Sequence, residues 1–89
     1  MHHPYRNIAI VGCGTLGSFL SLYLFLLKDF NLLFIFDFDE VSKKDEELIP
    51  MFNGCSGLKK VYSLDNYIRM INNNNAKILN FFDYTIYFS

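Results

Sequence analysis

Three glycines, an aspartate pair and a lysine are the residues of this 89-residue chain whose types and spacing suit chemistry. Ile8 to Gly17 reads I-A-I-V-G-C-G-T-L-G, so an apolar β-type run passes directly into Gly12-x-Gly14-x-x-Gly17 and then into a helix-type run. In such a turn Gly12 permits the tight bend off the strand, and Gly14 lets the backbone approach a phosphate. Gly17 lets the helix pack close to the strand. Thr15 and Leu16 open that helix, where free N–H groups and the positive end of the helix dipole face an anion. Asp37 closes the next apolar run about twenty residues further on, the spacing at which an acid serves a nucleotide ribose. A phosphate-bearing ligand is the chemistry implied; the alternative is a plain strand-to-helix turn that holds nothing.

Composition excludes several other classes. Hydrophobic residues make up 52% and charged residues 19%, which argues against disorder. The formal net charge is −1 and no basic stripe runs along the chain, so nucleic acid is not an expected partner. The 18% aromatic content is Phe and Tyr scattered through apolar runs, which reads as core. Cys13 and Cys55 form no C-x-x-C and lie far from any histidine at ligand spacing, so they read as two reduced thiols, not a zinc site. Cys13 lies near a helix N-terminus, where a thiol pKa can fall, which would make it an alkylation target. His2 and His3 have no partner in the motif. Leu16 to Leu27 is nearly all apolar, but Lys28, Asp29 and Asn31 interrupt it before Leu32. That falls short of the roughly twenty residues a membrane span needs, and no cleavage site makes it a signal peptide. The expectation is a cytoplasmic protein.

These residues must be positioned by a small set of elements. Asn7 to Val11 reads as a strand buried on both faces. Thr15 to about Lys28 reads as a helix, with Leu16, Phe19, Leu20, Tyr23, Leu24 and Leu27 expected to face the sheet. Its other side carries Leu22, Phe25 and Leu26, so it is apolar nearly all round and calls for cover on two sides. Leu32 to Phe36 is the second strand. Phe38 to Gly57 reads as an irregular loop, with Pro50 breaking any helix begun at Glu46 to Ile49. Leu58 to about Asn72 is an amphipathic helix with Leu58, Val61, Leu64, Ile68 and Ile71 on one stripe. Asn72 to Asn75 is a polar linker, Lys77 to Phe82 a third strand, and Asp83 to Ser89 an aromatic tail suited to a further strand.

The order β-α-β-α-β predicts an α/β fold, a Rossmann-like three-layer half-domain with a parallel sheet in the order 3-2-1. One domain accounts for 1–89. The order leaves the first strand at an edge, and an apolar parallel edge is a liability. A homodimer, or association with another chain through the first helix or the sheet edge, is therefore expected, or else a truncated domain.

At Asp37 a further motif appears, because the second strand ends F-D-F-D-E-V, Phe36 to Val41. Together with V-G-C-G-T-L-G and the later Gly57-Leu58-Lys59-Lys60, that string resembles the ThiF/MoeB family, the adenylating domains of ubiquitin-activating enzymes and their bacterial relatives. The resemblance covers about Asn7 to Asn72. It implies ATP with Mg as the ligand, NAD being the alternative that the glycine turn alone suggests. It also implies a small ubiquitin-like protein as partner, whose C-terminal carboxylate would be adenylated. Gly12, Gly14 and Gly17 would shape the phosphate turn, and Asp37 would accept from the ribose hydroxyls. Asp39 would belong to the same site, and Lys60 would place a positive charge on the phosphates, with Lys59 as its neighbour and competitor.

The departures from the family bear on catalysis. Where its members carry an Asn-Leu-x-Arg-Gln segment, this chain reads Ser42-Lys43-Lys44-Asp45-Glu46-Glu47-Leu48. No arginine occurs between Arg6 and Arg69. Lys43 or Lys44 offers a point charge but not the arginine fork. The family's magnesium-binding aspartate follows a fourth strand, for which Asp83 is a weak stand-in. A non-catalytic nucleotide-binding or interaction domain is therefore a third reading, beside the adenylating and the NAD-binding ones.

Overall fold

A computed structural model describes residues 6–71, 77–80 and 83–88. The elements run β1 (Asn7–Val11), α1 (Thr15–Leu27), β2 (Leu32–Phe36), α2 (Lys43–Leu48), a 3-10 turn (Pro50–Phe52), α3 (Lys60–Ile71), β3 (Lys77–Asn80) and β4 (Tyr84–Phe88). They form a small α/β unit around a mixed four-stranded sheet in the order β1-β2-β4-β3. The expected Asn72–Asn75 linker lies outside the described residues, as do His2, His3, Phe81 and Phe82.

The first half of the sheet follows expectation in span and direction, but β1 is not buried on both faces, since Asn7, Ala9 and Val11 are exposed. β1 and β2 pair in parallel, Asn7 opposite Leu32 through Val11 opposite Phe36, with α1 as the crossover between them. The second half corrects it. The strand beside β2 is β4, antiparallel, and β3 pairs antiparallel with the far side of β4. The strand β3 therefore keeps the direction of β1 and β2 but stands one place further out, so the all-parallel order 3-2-1 gives way to a split β-α-β arrangement.

Two features of the tail account for this. Only three residues separate β3 from β4, so a hairpin closes with little loop entropy. Tyr87 then becomes the largest fully buried side chain, meeting Phe25 edge-on at 4.9 Å and donating its hydroxyl hydrogen bond to buried Asp65 on α3. Full burial of one such aromatic contributes roughly 1.5–3 kcal/mol.

One face of the sheet carries Ile8, Ile10, Leu33, Ile35, Thr85 and Tyr87, and α1, α3 and the 3-10 turn pack on that face through Phe25, Val61, Leu64, Ile68, Met51 and Phe52. The other face presents Val11, Phe34, Phe36, Tyr84, Ile86 and Phe88, with Phe34 and Phe36 stacked at 6.5 Å, and no described helix covers it. Among the described residues the unit has two layers, not the three expected.

The orientation of α1 is a second correction. Its buried residues are Ser18, Ser21 and Phe25, while Leu16, Phe19, Leu20, Tyr23 and Leu27 stay exposed and only Leu24 of the expected stripe packs against the core. Small side chains let the helix lie close to β1, so closeness of approach decided the face and hydrophobicity did not. The helix α3 starts at Lys60 and not at Leu58; it buries Val61, Leu64 and Ile68 as expected, while Leu58 ahead of it and Ile71 at its end remain over 40% exposed. α2 is an element that the loop reading of Phe38 to Gly57 passed over. Ser42 caps it, accepting from the Asp45 N–H while the Asp45 side chain accepts from the Ser42 N–H.

Candidate functional site

The glycine turn joins β1 to α1 and is held by three contacts. The Gly12 N–H donates to the Phe36 carbonyl at 2.8 Å, tying the turn to the end of β2. The Cys13 N–H donates to Asp37 Oδ2 at 2.6 Å. The Ser18 hydroxyl donates back to the Cys13 carbonyl at 2.8 Å. Gly12 has φ +105°, a region that side-chain-bearing residues rarely enter. A Cβ on Gly17 would meet the Gly12 carbonyl oxygen at 1.8 Å, so helix and turn can approach this closely only through glycine.

Gly14 is the N-cap of α1, and a Cβ there would meet nothing within 4 Å. No side chain caps this helix, and its first turn carries no acid. The first intrahelical bond runs from the Ser18 N–H to the Gly14 carbonyl. The N–H groups ahead of it open onto a groove of about 550 Å³ lined by Ala9 to Gly12, Gly14 to Gly17 and Leu20. An uncapped thirteen-residue helix start that faces open space suits an anion.

Asp37 lies at the back of this turn and is 7% exposed. Besides the Cys13 N–H it accepts from the Asp39 N–H, through Oδ1 at 2.7 Å. An ionised carboxylate has about four acceptor positions, so two remain. Asp37 and Asp39 also line a recess of about 160 Å³ with Val11, Gly12, Phe36 and Phe38, and it shares two of its residues with the groove. Gly12, Gly14, Thr15, Leu16 and Gly17 line the groove, and Asp37 and Asp39 line the recess, two depressions that share Val11 and Gly12 at the C-terminal ends of β1 and β2. That is where open α/β sheets take their ligands.

The two lysines lie outside the linings of both the groove and the recess. The segments 39–41 and 57–60 run antiparallel: the Val41 N–H donates to the Leu58 carbonyl, the Gly57 N–H to the Val41 carbonyl, and the Lys60 N–H to the Asp39 carbonyl. The F-D-F-D-E-V string and the Gly-x-x-Lys step are thereby locked together, a pairing that spacing alone does not reveal. The Lys60 ammonium, however, faces Asp45 at 3.4 Å, and Lys59 donates to the Phe38 carbonyl and pairs with Asp83 at 2.9 Å. Neither lysine lines the groove, although the charge of Lys60 is felt at Cys13. Asp83, the weak candidate for a metal ligand, is this partner of Lys59, and its carbonyl accepts from the Asp37 N–H. Among the described residues no three His, Cys, Asp or Glu side chains converge as a metal-binding group.

Cys13 corrects the sequence reading. It is fully buried, and burial first, with the Asp37 charge second, pushes its thiol up from 9.0 to about 12, against a smaller opposing pull from Lys60. The helix N-terminus does not activate it, because the side chain points into the core and not along the dipole. Among the described residues no helix is long and apolar enough to cross a membrane. No family model matches the chain, and no curated protein or solved structure matches it.

Proposed function

We propose that the chain is a nucleotide-binding domain that takes the phosphates of ATP at the Gly12–Gly17 turn and the ribose at Asp37. The observation that carries this reading is the uncapped start of α1, opening on a groove that shares Val11 and Gly12 with the recess of Asp37 and Asp39. Backbone N–H groups and the helix dipole attract the phosphates. The two remaining acceptor positions of Asp37 suit the ribose hydroxyls. A magnesium ion would arrive on the phosphates, since the described side chains offer it no ready-made cage.

The choice of ATP over NAD rests on the string Asp37 to Val41 and its ladder with Gly57 to Lys60, the two segments that resemble the ThiF/MoeB adenylating domains. In that reading a carboxylate oxygen at the C-terminus of a small ubiquitin-like protein attacks the α-phosphorus, and pyrophosphate leaves. Lys60 would then leave Asp45 and turn its ammonium toward the phosphates, neutralising charge as it builds. One observation favours binding without turnover: Lys59 and Lys60 both hold ion pairs, and no arginine stands between Arg6 and Arg69 to replace them.

Calorimetric titration with ATP–Mg, NAD and NADP decides between these readings. ATP binding that weakens in Asp37→Asn and Lys60→Ala supports the adenylating type, and ATP-dependent pyrophosphate exchange with a ubiquitin-like protein would establish turnover. NAD binding without ATP binding would sink it.

A further inference from the structure

The outer edge of β1 has no strand partner among the described residues. The Arg6 carbonyl accepts from Asn31 and the Gly12 N–H donates to Phe36, so the even-numbered residues of this segment turn their backbone groups toward β2. By the alternation of a strand, the N–H and C=O groups of Asn7, Ala9 and Val11 point outward from the sheet. Natural edges are usually guarded by charge, proline or a bulge. The sequence N-I-A-I-V has none of these.

Beside the edge runs a flank of α1 on which Leu16, Leu20, Tyr23 and Leu27 are 80%, 39%, 60% and 51% exposed. The helix T-L-G-S-F-L-S-L-Y-L-F-L-L contains no charged residue. Edge and flank meet along the groove, whose walls include Ala9, Val11, Leu16 and Leu20.

We propose that this surface binds a second copy of the chain, β1 against β1, antiparallel about a two-fold axis at Ala9. The outward groups then match themselves: Ala9 opposite Ala9 of the second copy, Asn7 opposite Val11, and Val11 opposite Asn7. All three are hydrogen-bonded pairs. The two-fold axis sets Ala9 against its own copy and Asn7 against Val11, so no charge meets a like charge along this edge, and α1 carries no charge either. The four helix side chains and Val11 expose on the order of 500 Å² per protomer, and the strand backbone adds to that, against about 800 Å² per partner in a standard interface. The pairing rests on the edge and the α1 flank, not on the nucleotide reading, and it covers the Ala9, Val11, Leu16 and Leu20 side of the groove.

Sedimentation equilibrium of the full chain without nucleotide tests the proposal. The wild type is a dimer, and Val11→Lys is a monomer with an unchanged far-UV circular dichroism spectrum, because Val11 is 75% exposed in one copy. In a Cys55→Ser background, Ala9→Cys forms a disulfide-linked dimer on mild oxidation, since paired Cα atoms about 5.5 Å apart fit a disulfide. A wild-type monomer at every concentration would overturn the proposal. So would a dimer that survives Val11→Lys, or one in which Ala9→Cys fails to cross-link. With no nucleotide present, each of these failures is distinct from failure of the nucleotide reading.

Discussion

Gly17 sits so close to Gly12 that a Cβ built on it would lie 1.8 Å from the Gly12 carbonyl oxygen. The clash is with backbone, which has no flexible end to give way. Gly17→Ala therefore forces helix and strand apart and destabilises the unit by on the order of 3 kcal/mol. Gly14→Ala meets nothing within 4 Å and changes stability by less than ~1 kcal/mol. Urea denaturation of the two variants checks the contrast. Equal effects would show that the close approach is not what holds the turn.

Asp37 has a structural duty as well as its proposed ligand role. Its two oxygens accept from the N–H groups of Cys13 and Asp39, and Asp37→Ala leaves both donors without that partner. A loss of about 2 kcal/mol is expected. Asp37→Asn keeps one acceptor oxygen and loses less. Comparing the denaturation midpoints of the two variants tests this ordering, and an Asp37→Ala variant as stable as wild type would contradict it.

The thiol of Cys13 is inert while the protein is folded. Iodoacetamide should modify only Cys55 under native conditions, since Cys13 is fully buried and its thiol is pushed up to about 12. Mass spectrometry of the native and the urea-unfolded protein reads this directly: one adduct before unfolding, two after. Rapid native modification of Cys13 would show the turn to be open.

The same shift makes stability depend on pH. The folded state holds the Cys13 proton more tightly than the unfolded chain, whose thiol titrates near 9.0. That contribution is complete below pH 9 and is lost as pH rises toward about 12. Tyr87 shifts in the same direction, through burial first and the Asp65 charge second. Stability measured by denaturation should fall from pH 9 upward, and Cys13→Ala should flatten the decline. A profile that rises across this window would contradict the sign.

Half of the fold and most of the turn are legible in the sequence. β1 and β2 are continuous apolar runs punctuated by Gly12 and Asp37, and they form over the spans expected. The place of β4 depends on where Tyr87 finds a partner for its hydroxyl, and that partner, Asp65, lies 22 residues away. No local pattern carries such information. The face of α1 misleads because the helix is apolar all round, and the small residues Gly17, Ser18 and Ser21 decide which side can approach β1. The α2 helix had a readable signal in Ser42-x-x-Asp45, a capping box that the density of charge obscured. Spacing pointed to the glycine turn and Asp37, and the family resemblance to Asp39 and Lys60. What spacing could not show is that Lys60 stands over Asp45 and that Asp37 braces the turn it was expected only to face.

The most direct measurement is a calorimetric titration of ATP–Mg into the wild type and into Gly14→Ala, the variant that keeps the fold while a methyl group intrudes on the anion approach. The account predicts binding by the wild type and at least a tenfold weaker affinity in the variant, a difference of about 1.4 kcal/mol. No ATP binding by the folded wild type, or equal affinity in the two proteins, would contradict it.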